Sequence, residues 1–235
     1  MAVDMEMTTK DRLLVAAGVL FAAKGYRETT VAEICDRAQA NIASVNYHFG
    51  SKENLYVESW RAAFDEAIAK YPPQGDVPAE APPERRLRAR MKALLLRVTD
   101  PEITEFDILH REMGDPTGLL KDAFREEIDP IRLETVRTVR ELLGPEASTG
   151  QVLMCTMSVM GPILHLAFRR RNGMFGEHDP HMPQEQRLSH LEVVIDHTLR
   201  FVLAGLTEAR KGIVSGDWPD LQLSETIHER FRGAE

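Results

Sequence analysis

The chain has 235 residues, of which 43% are hydrophobic and 28% charged, and its formal net charge is −8. This balance is typical of a globular protein, and no run of about 18 apolar residues predicts a membrane-spanning helix. The N-terminus lacks the basic-then-apolar order of a secretory signal, and Cys35 and Cys155 each lie in an apolar context. We therefore expect a cytoplasmic protein with two buried thiols and no membrane partner.

The acidic charge, taken alone, argues against a nucleic-acid partner, because phosphates favour basic surfaces. The first sixty residues do not reverse the balance, with six Lys or Arg against eight Asp or Glu. DNA binding remains compatible with this charge where the carboxylates point away from the groove. Whether the protein binds DNA therefore has to be judged from the motifs along the chain.

A first helix is predicted from about Thr8 to Lys24, ended by Gly25. Its apolar residues recur at the spacing of a helix with one buried face. They are Leu13, Leu14, Ala17, Leu20 and Phe21.

Two short helices joined by a tight turn follow, at residues 30–49. Thr30 is a good N-cap for the first, whose apolar residues are Val31, Ile34, Cys35 and Ala38. Asn41 caps the second, which is barely two turns long and should bury only Val45 and Phe49. So short a helix needs tertiary packing to be stable. A rigidly held short helix with exposed polar side chains is typical of a DNA-binding helix-turn-helix.

Many residues at fixed spacing between about Lys10 and Leu55 form one extended pattern. It reads Leu14-x-x-Ala17-x-x-Leu20-Phe21-x-x-x-Gly25-Tyr26-x-x-Thr29-Thr30-Val31-x-x-Ile34, then Tyr47-His48-Phe49-x-Ser51-Lys52-x-x-Leu55. The pattern resembles the N-terminal DNA-binding domain of the TetR family of bacterial transcription regulators. The resemblance implies a dimer that binds a double-stranded DNA operator, with a helical sensor domain behind each reading head.

The helix from Ile42 to His48 is expected to enter the major groove. We expect Ser44, Asn46 and Tyr47 to contact base edges. Thr30, His48 and Lys52 should hold phosphates. The complete predicted DNA-binding set is Thr30, Asn41, Ile42, Ala43, Ser44, Asn46, Tyr47, His48 and Lys52.

The reading head departs from the commonest family pattern at three places. Gln39 and Ala40 stand where a Gly-Val pair is usual, Asn41 where Ser or Thr is usual, and Asn46 where Tyr is usual. An operator sequence cannot therefore be borrowed from better-known members.

The remaining chain also predicts helices. The fourth begins after Ser51 and ends before Pro72, with Leu55, Tyr56, Trp60, Phe64 and Ile68 inward. Residues 72–83 hold five of the thirteen prolines and predict an extended, exposed connection. Further helices are predicted at Glu84–Val98, Ile103–Met113, Thr117–Leu143 with an interruption at Pro130, Ser148–Arg171 and Arg187–Lys211.

The last two predicted helices are apolar on more than one side, so several faces should be buried. By resemblance, this pair packs against its copy in a second subunit as a four-helix bundle; a monomer's central core is the alternative. We expect a charge at Leu199 or Val202 to disrupt the dimer.

The segment around His110 is the best candidate for sensing a small-molecule inducer, because bundle pockets combine apolar side chains with a few polar groups. Ordinary core packing is the alternative for the methionines and for Phe168. The predicted pocket residues are His110, Arg111, Met113, Leu120, Phe124, Met157, Met160, His165 and Phe168.

No catalytic or metal constellation is expected. His178, Asp179 and His181 have suitable chemistry for zinc, but they lie in a Gly/Pro-rich loop without a second ligand cluster. No nucleophile elbow, activated cysteine or phosphate loop is present, so we expect no cofactor.

The sequence thus predicts an all-α regulator with two domains, a three-helix head at residues 8–55 and a larger ligand-sensing and dimerisation domain at 56–235. We expect a repressor released from a palindromic operator by a small molecule. The alternatives are a regulator controlled by a protein partner and a helical enzyme fused to a DNA-binding head.

Overall fold

The structure, a computed structural model, describes the backbone of residues 7–171, 184–224 and 231, and the side chains of 7–165, 192–224 and 231. These residues form α-helices and no β-strand, which confirms the predicted fold class. The helices are α1 (Thr9–Glu28), α2 (Val31–Ala38), α3 (Ile42–Phe49), α4 (Lys52–Lys70), α5 (Pro83–Thr99), α6 (Glu105–Gly114), α7 (Lys121–Leu143), α8 (Thr149–Arg171) and α9 (Gln184–Ser215). No helix among them is long and apolar enough to cross a membrane.

The chain divides into two compact units. The head unit comprises Met1–Lys70 and Asp100–Glu127, and the body unit comprises Tyr71–Thr99 and Ile128–Glu235. The head unit therefore contains α6 and the start of α7 in addition to α1–α4. The domain boundary predicted near residue 55 stays a prediction.

In the head unit, α1 packs against α2, α4 and α6. Thr8 and Asp11 form a capping box at its start, and Leu13, Ala17 and Phe21 are buried as predicted. The predicted stop at Gly25 is a kink with φ +81°, after which a helical turn continues to Glu28. Glycine adopts this left-handed conformation without strain.

The C-terminal end of α6 is fixed to its neighbours by side-chain hydrogen bonds. The Arg111 guanidinium donates to the carbonyl oxygens of Ala22 (3.3 Å) and Ala23 (2.7 Å) in α1. The buried Glu112 carboxylate accepts from the Tyr56 hydroxyl of α4 at 3.0 Å. It also accepts from the Thr117 and Gly118 backbone amides, each at 2.9 Å. Helices α1, α4 and α6 are thus joined by polar contacts in addition to apolar packing.

In the body unit, α5 packs against α8 and α9. Arg88 and Lys92 of α5 form ion pairs with Glu192 of α9, and Arg88 also pairs with Asp196. The connection before α5 is largely exposed, as predicted. It is not simply extended, because Gly75 and Ala81 each close a turn by hydrogen bonding to Pro72 and Pro78.

The predicted interruption of α7 at Pro130 is wrong, because the helix is continuous from Lys121 to Leu143. Proline removes one backbone donor, and Pro130 lies on the exposed side of the helix. Leu199 and Val202 are buried inside the single chain, and the predicted effect of a charge there on a dimer stays a prediction. The exposed apolar residues of α9 include Val193 and Phe201.

The segment after α9 folds back against the start of α8. The Ser148 hydroxyl donates to the Asp220 carboxylate at 2.6 Å, and the side-chain amide of Gln151 donates to the Trp218 carbonyl at 3.4 Å. Gly150 lies directly beneath this segment. A Cβ at that position would be 2.3 Å from the Leu221 carbonyl oxygen and 2.5 Å from an Asp220 carboxylate oxygen.

We expect Gly150→Ala to lower the free energy of unfolding by roughly 1–3 kcal/mol, because the added methyl group overpacks this contact. Urea denaturation of the purified protein measures the change. Gly114→Ala is the matched control, since its Cβ would meet no atom within 4 Å. Equal stability of Gly150→Ala and the wild type would show that the segment does not pack on α8 in solution.

Candidate nucleic-acid interface

The turn between α2 and α3 is closed by backbone hydrogen bonds. The Gln39 amide donates to the Asp36 carbonyl at 3.3 Å, and the Ala40 amide donates to the Cys35 carbonyl at 2.9 Å. These bonds require Gln39 to adopt the left-handed conformation, with φ 50° and ψ 49°. The chain then enters α3 through Asn41, whose side chain accepts a hydrogen bond from the Ala43 amide at 2.9 Å.

Helix α3 is held by the two side chains that the sequence predicted. Val45 and Phe49 are buried, whereas Tyr47 is 84% exposed and Asn46 is also exposed. Ser44 and His48 are half-buried at the edge of the exposed face. At the end of the helix, the side-chain amide of Asn54 donates to the Phe49 carbonyl at 3.0 Å. The helix is therefore fixed on one side and open on the other.

The hydroxyl of Thr30 is already engaged within α2. It accepts from the Glu33 amide at 3.2 Å and donates to the Glu33 carboxylate at 3.0 Å. The Thr30 backbone amide donates to the same carboxylate at 3.0 Å, which completes a capping box. Lys24 also donates to this carboxylate at 2.5 Å, and the bonds from Lys24 and Thr30 lower the pKa of Glu33 to about 2. The spacing Thr30-x-x-Glu33 was sufficient to predict the capping box, which the sequence analysis missed.

Lys52 lies at the first position of α4, with its ammonium 4.2 Å from the ring centroid of Tyr26. The Tyr26 hydroxyl donates to the Glu53 carboxylate at 2.8 Å. Sequence reasoning placed Lys52 in the interface but gave Tyr26 no role. No local spacing rule connects a residue at the end of α1 with one at the start of α4.

The predicted ligand set is divided between the two units. His110, Arg111, Met113, Leu120 and Phe124 belong to the head unit, while Met157, Met160, His165 and Phe168 belong to the body unit. Met113 is 71% and Met157 72% exposed, and His165 is exposed too, so these three do not line an enclosed cavity in the single chain.

The other members of that set have varied surroundings. Leu120 is buried, and Phe124 packs edge-on against Trp60 with ring centroids 4.7 Å apart, as core residues do. Arg111 is committed to the carbonyl groups of α1. His110 and Met160 are half-buried. The side chain of Phe168 lies outside the described residues, as do His178, Asp179 and His181.

Comparison with known proteins identifies the family. Residues 13–58 match the family model described as bacterial regulatory proteins of the tetR family. Residues 83–206, more than half of the chain, match the C-terminal domain of the HTH-type transcriptional dual regulator CecR. The chain belongs to the TetR family. It is a DNA-binding transcription regulator and not an enzyme.

Individual TetR-family relatives agree with this assignment. CecR of Shigella flexneri is 28% identical over 170 residues, covering 68% of this chain and 75% of that protein. The biofilm operon icaADBC negative transcriptional regulator IcaR of Staphylococcus aureus is 39% identical over 56 residues, covering 24% of this chain and 30% of that protein.

Two solved structures are similar in fold. A transcriptional regulator from Rhodococcus sp. RHA1 is 20% identical with a TM-score of 0.60, covering 84% of this chain and 97% of that chain. The TetR family transcriptional regulator PfmR from Thermus thermophilus is 25% identical with a TM-score of 0.53, covering 83% and 97% respectively.

Gln39 stands where a glycine is usual in the TetR family, and its left-handed backbone conformation is less favourable for a residue with a Cβ than for glycine. We expect Gln39→Gly to raise the free energy of unfolding by about 1 kcal/mol, because glycine adopts positive φ without a Cβ clash. The control is Arg37→Gly, two residues earlier in the regular part of α2, which should lose about 1 kcal/mol. Chemical denaturation measures both variants, and a loss of stability in Gln39→Gly would contradict the conformation observed at this position.

Proposed function

We propose that the protein is a homodimeric repressor that binds a palindromic operator and is released from it by a small-molecule ligand. The observation that carries the DNA-binding part is the geometry of α3. Two buried side chains, Val45 and Phe49, hold the helix, and its opposite face presents Asn46 and Tyr47. Because transcription regulation acts on chromosomal DNA, we place the protein in the cytoplasm.

Ser44, Asn46 and Tyr47 are the proposed base-reading residues. An asparagine amide can pair with the donor and acceptor that adenine presents in the major groove. Ile42 and Ala43 lie at the exposed N-terminal end of α3 and would contact the groove wall or thymine methyl groups. Asn41 would contribute indirectly, because its side chain caps α3 and orients the first backbone amides of that helix.

His48 and Lys52 are the proposed phosphate contacts. Lys52 is half-exposed at the N-terminal end of α4, where helix dipole and cation both favour an anion. Thr30 would contact a phosphate through its hydroxyl only if Glu33 released it, because that hydroxyl is engaged with Glu33. We therefore assign the larger electrostatic contribution to Lys52.

The proposed dimer interface is the exposed apolar side of α8 and α9. On α8, Met157, Gly161 and Leu164 follow one another at helical spacing and are exposed. On α9, Phe201 is 73% and Val193 68% exposed. Exposed apolar residues in series on two helices of one unit suit a second copy of the same chain, as in the four-helix bundle of the family.

Repression and ligand release complete the proposal. The name of IcaR describes a negative regulator and that of CecR a dual regulator, so repression is the more economical choice. A ligand that releases the operator must bind the DNA-incompetent state more tightly. A hundredfold effect on DNA affinity requires about 2.7 kcal/mol of coupling free energy.

The experiment that tests the function is selection of genomic DNA fragments by the purified protein, followed by sequencing. We expect an enriched pseudo-palindrome whose half-sites lie about one helical turn apart or slightly more. Enrichment of no sequence over the input would contradict specific DNA binding by α3.

Substitutions at Lys52 and Asn46 should have different effects on DNA binding. Lys52→Ala should weaken binding to every duplex and make the logarithmic salt slope shallower by about 1, since one phosphate contact is lost. Asn46→Ala should relax preference at one base pair, at a cost of roughly 1–3 kcal/mol there. Titrations against the selected duplex and its single-base variants measure both effects; an equal shift for all duplexes with Asn46→Ala would remove that residue from base reading.

The wild-type protein should sediment as a dimer at micromolar concentration, and Phe201→Glu should dissociate it. We expect the dissociation constant to rise at least about 100-fold, because an unpaired buried charge costs several kcal/mol. Val15→Glu is the control, since Val15 is an exposed apolar residue of the head unit. A monomeric wild type, or equal dissociation by both variants, would refute this interface.

A further inference from the structure

Lys52 does not extend freely from the start of α4. Its ammonium lies 4.2 Å from the ring centroid of Tyr26, well inside the distance at which a cation is attracted to an aromatic face. The side chain is half-buried, and burial lowers the pKa of Lys52. Partial removal of water strengthens a cation–π contact, so the ring is an effective partner for this ammonium.

The ring of Tyr26 is itself held from two sides. Its hydroxyl donates to Glu53 at 2.8 Å, and its ring packs against Tyr56 with centroids 5.1 Å apart. The kink at Gly25 turns the chain just before Tyr26, and the Thr29 hydroxyl closes that turn by donating to the Gly25 carbonyl at 2.8 Å. The ring of Tyr26 is therefore held in one orientation, and the flexible side chain of Lys52 can pack against its face.

The hydrogen bond to Glu53 has a second effect. Glu53 follows Lys52 directly in sequence, and its carboxylate attracts the neighbouring ammonium, which opposes the larger effect of burial on the pKa of Lys52. The backbone amide of Glu53 and the Tyr26 hydroxyl hold this carboxylate in place, and both lower its pKa. Burial, and then the bond to Glu53, raise the pKa of Tyr26 to about 12, so the phenol remains a neutral donor.

We propose that Tyr26 is a positioning residue for DNA binding, which holds the Lys52 ammonium on its ring face so that the remaining N–H groups meet a backbone phosphate. The proposal rests on the phosphate contact assigned to Lys52 above. An ammonium carries three donors, and contact with a ring on one side leaves the other side available. Lysine otherwise loses much rotamer freedom on binding, and prior ordering on the ring reduces that loss.

The test is a double-mutant cycle on the full-length protein, with DNA affinity measured by fluorescence anisotropy over a salt series. A selected duplex and an unrelated duplex of equal length serve as probes. Tyr26→Leu should weaken binding to both duplexes roughly two- to fivefold. In the Lys52→Ala background the same change should have no further effect, since the ammonium that the ring positions is gone. Tyr26→Phe retains the ring face and should bind within about twofold of the wild type.

Two outcomes would overturn the proposal in different ways. If Lys52→Ala leaves the salt slope unchanged, the phosphate contact itself is wrong and the role of Tyr26 falls with it. If Lys52→Ala makes the slope shallower but Tyr26→Leu weakens binding equally in both backgrounds, the phosphate contact stands and Tyr26 acts only through the fold.

A measurement on the wild type keeps the proposal testable if Tyr26→Leu does not fold. Protons on the Lys52 carbon next to the ammonium should resonate upfield of their usual position in NMR spectra, because they lie over an aromatic ring. Tyr26→Phe should retain this shift. Resonances at the position of an ordinary exposed lysine would refute the contact, and with it the positioning role.

Discussion

An eight-residue helix has no stable orientation of its own in water, because it is too short to compensate for the cost of nucleation. The reading helix α3 therefore depends on its attachment to the rest of the head unit. Val45 and Phe49 fix one face, the cap at Asn41 fixes the start, and Asn54 closes the end through the Phe49 carbonyl. Together these contacts fix the orientation of α3 about its own axis. That orientation decides which side chains can reach base edges and which meet only phosphates.

The net charge of −8 raises the question of which basic side chains can attract DNA, and the partners of these side chains give an answer. Among the described residues of the first sixty, Arg12 donates to the carbonyl groups of Met7 and Ala38, Lys24 pairs with Glu33, and Arg27 pairs with Asp115. These three cations stabilise the fold or are locally neutralised. Under the phosphate contact proposed for Lys52, electrostatic attraction to DNA would be concentrated on few positions, of which Lys52 lies at the start of α4. A small number of phosphate contacts gives weak non-specific binding, so base contacts would carry a larger share of the affinity.

Local patterns in the sequence were sufficient to place the helices along the chain, apart from the continuity of α7 at Pro130, and to predict the burial of Val45 and Phe49, because periodicity and capping act over a few residues. They were insufficient where the deciding contact lies far along the chain. Both faces of α9 are apolar, so periodicity alone cannot tell the side that packs inside the protomer, with Leu199 and Val202, from the exposed side with Phe201. The same limit applies to the predicted pocket, since residue type alone does not show whether Met113 is enclosed.

The polar contacts at the end of α6 indicate a structural role for Arg111, which the sequence had placed in a ligand pocket. Its guanidinium satisfies carbonyl groups of α1 just before the kink at Gly25, so it stabilises the part of α1 that leads to Tyr26. Glu112 acts beside it on Tyr56, whose ring packs against Tyr26. If a ligand moved α6, the hydrogen bonds of Arg111 and Glu112 would either break or move α1 and Tyr56 together with α6. Either change would alter the surroundings of Tyr26, which lies in the same unit. Arg111 therefore connects α6 to the part of α1 that precedes Tyr26, and a direct contact between Arg111 and a ligand is not needed to explain its position.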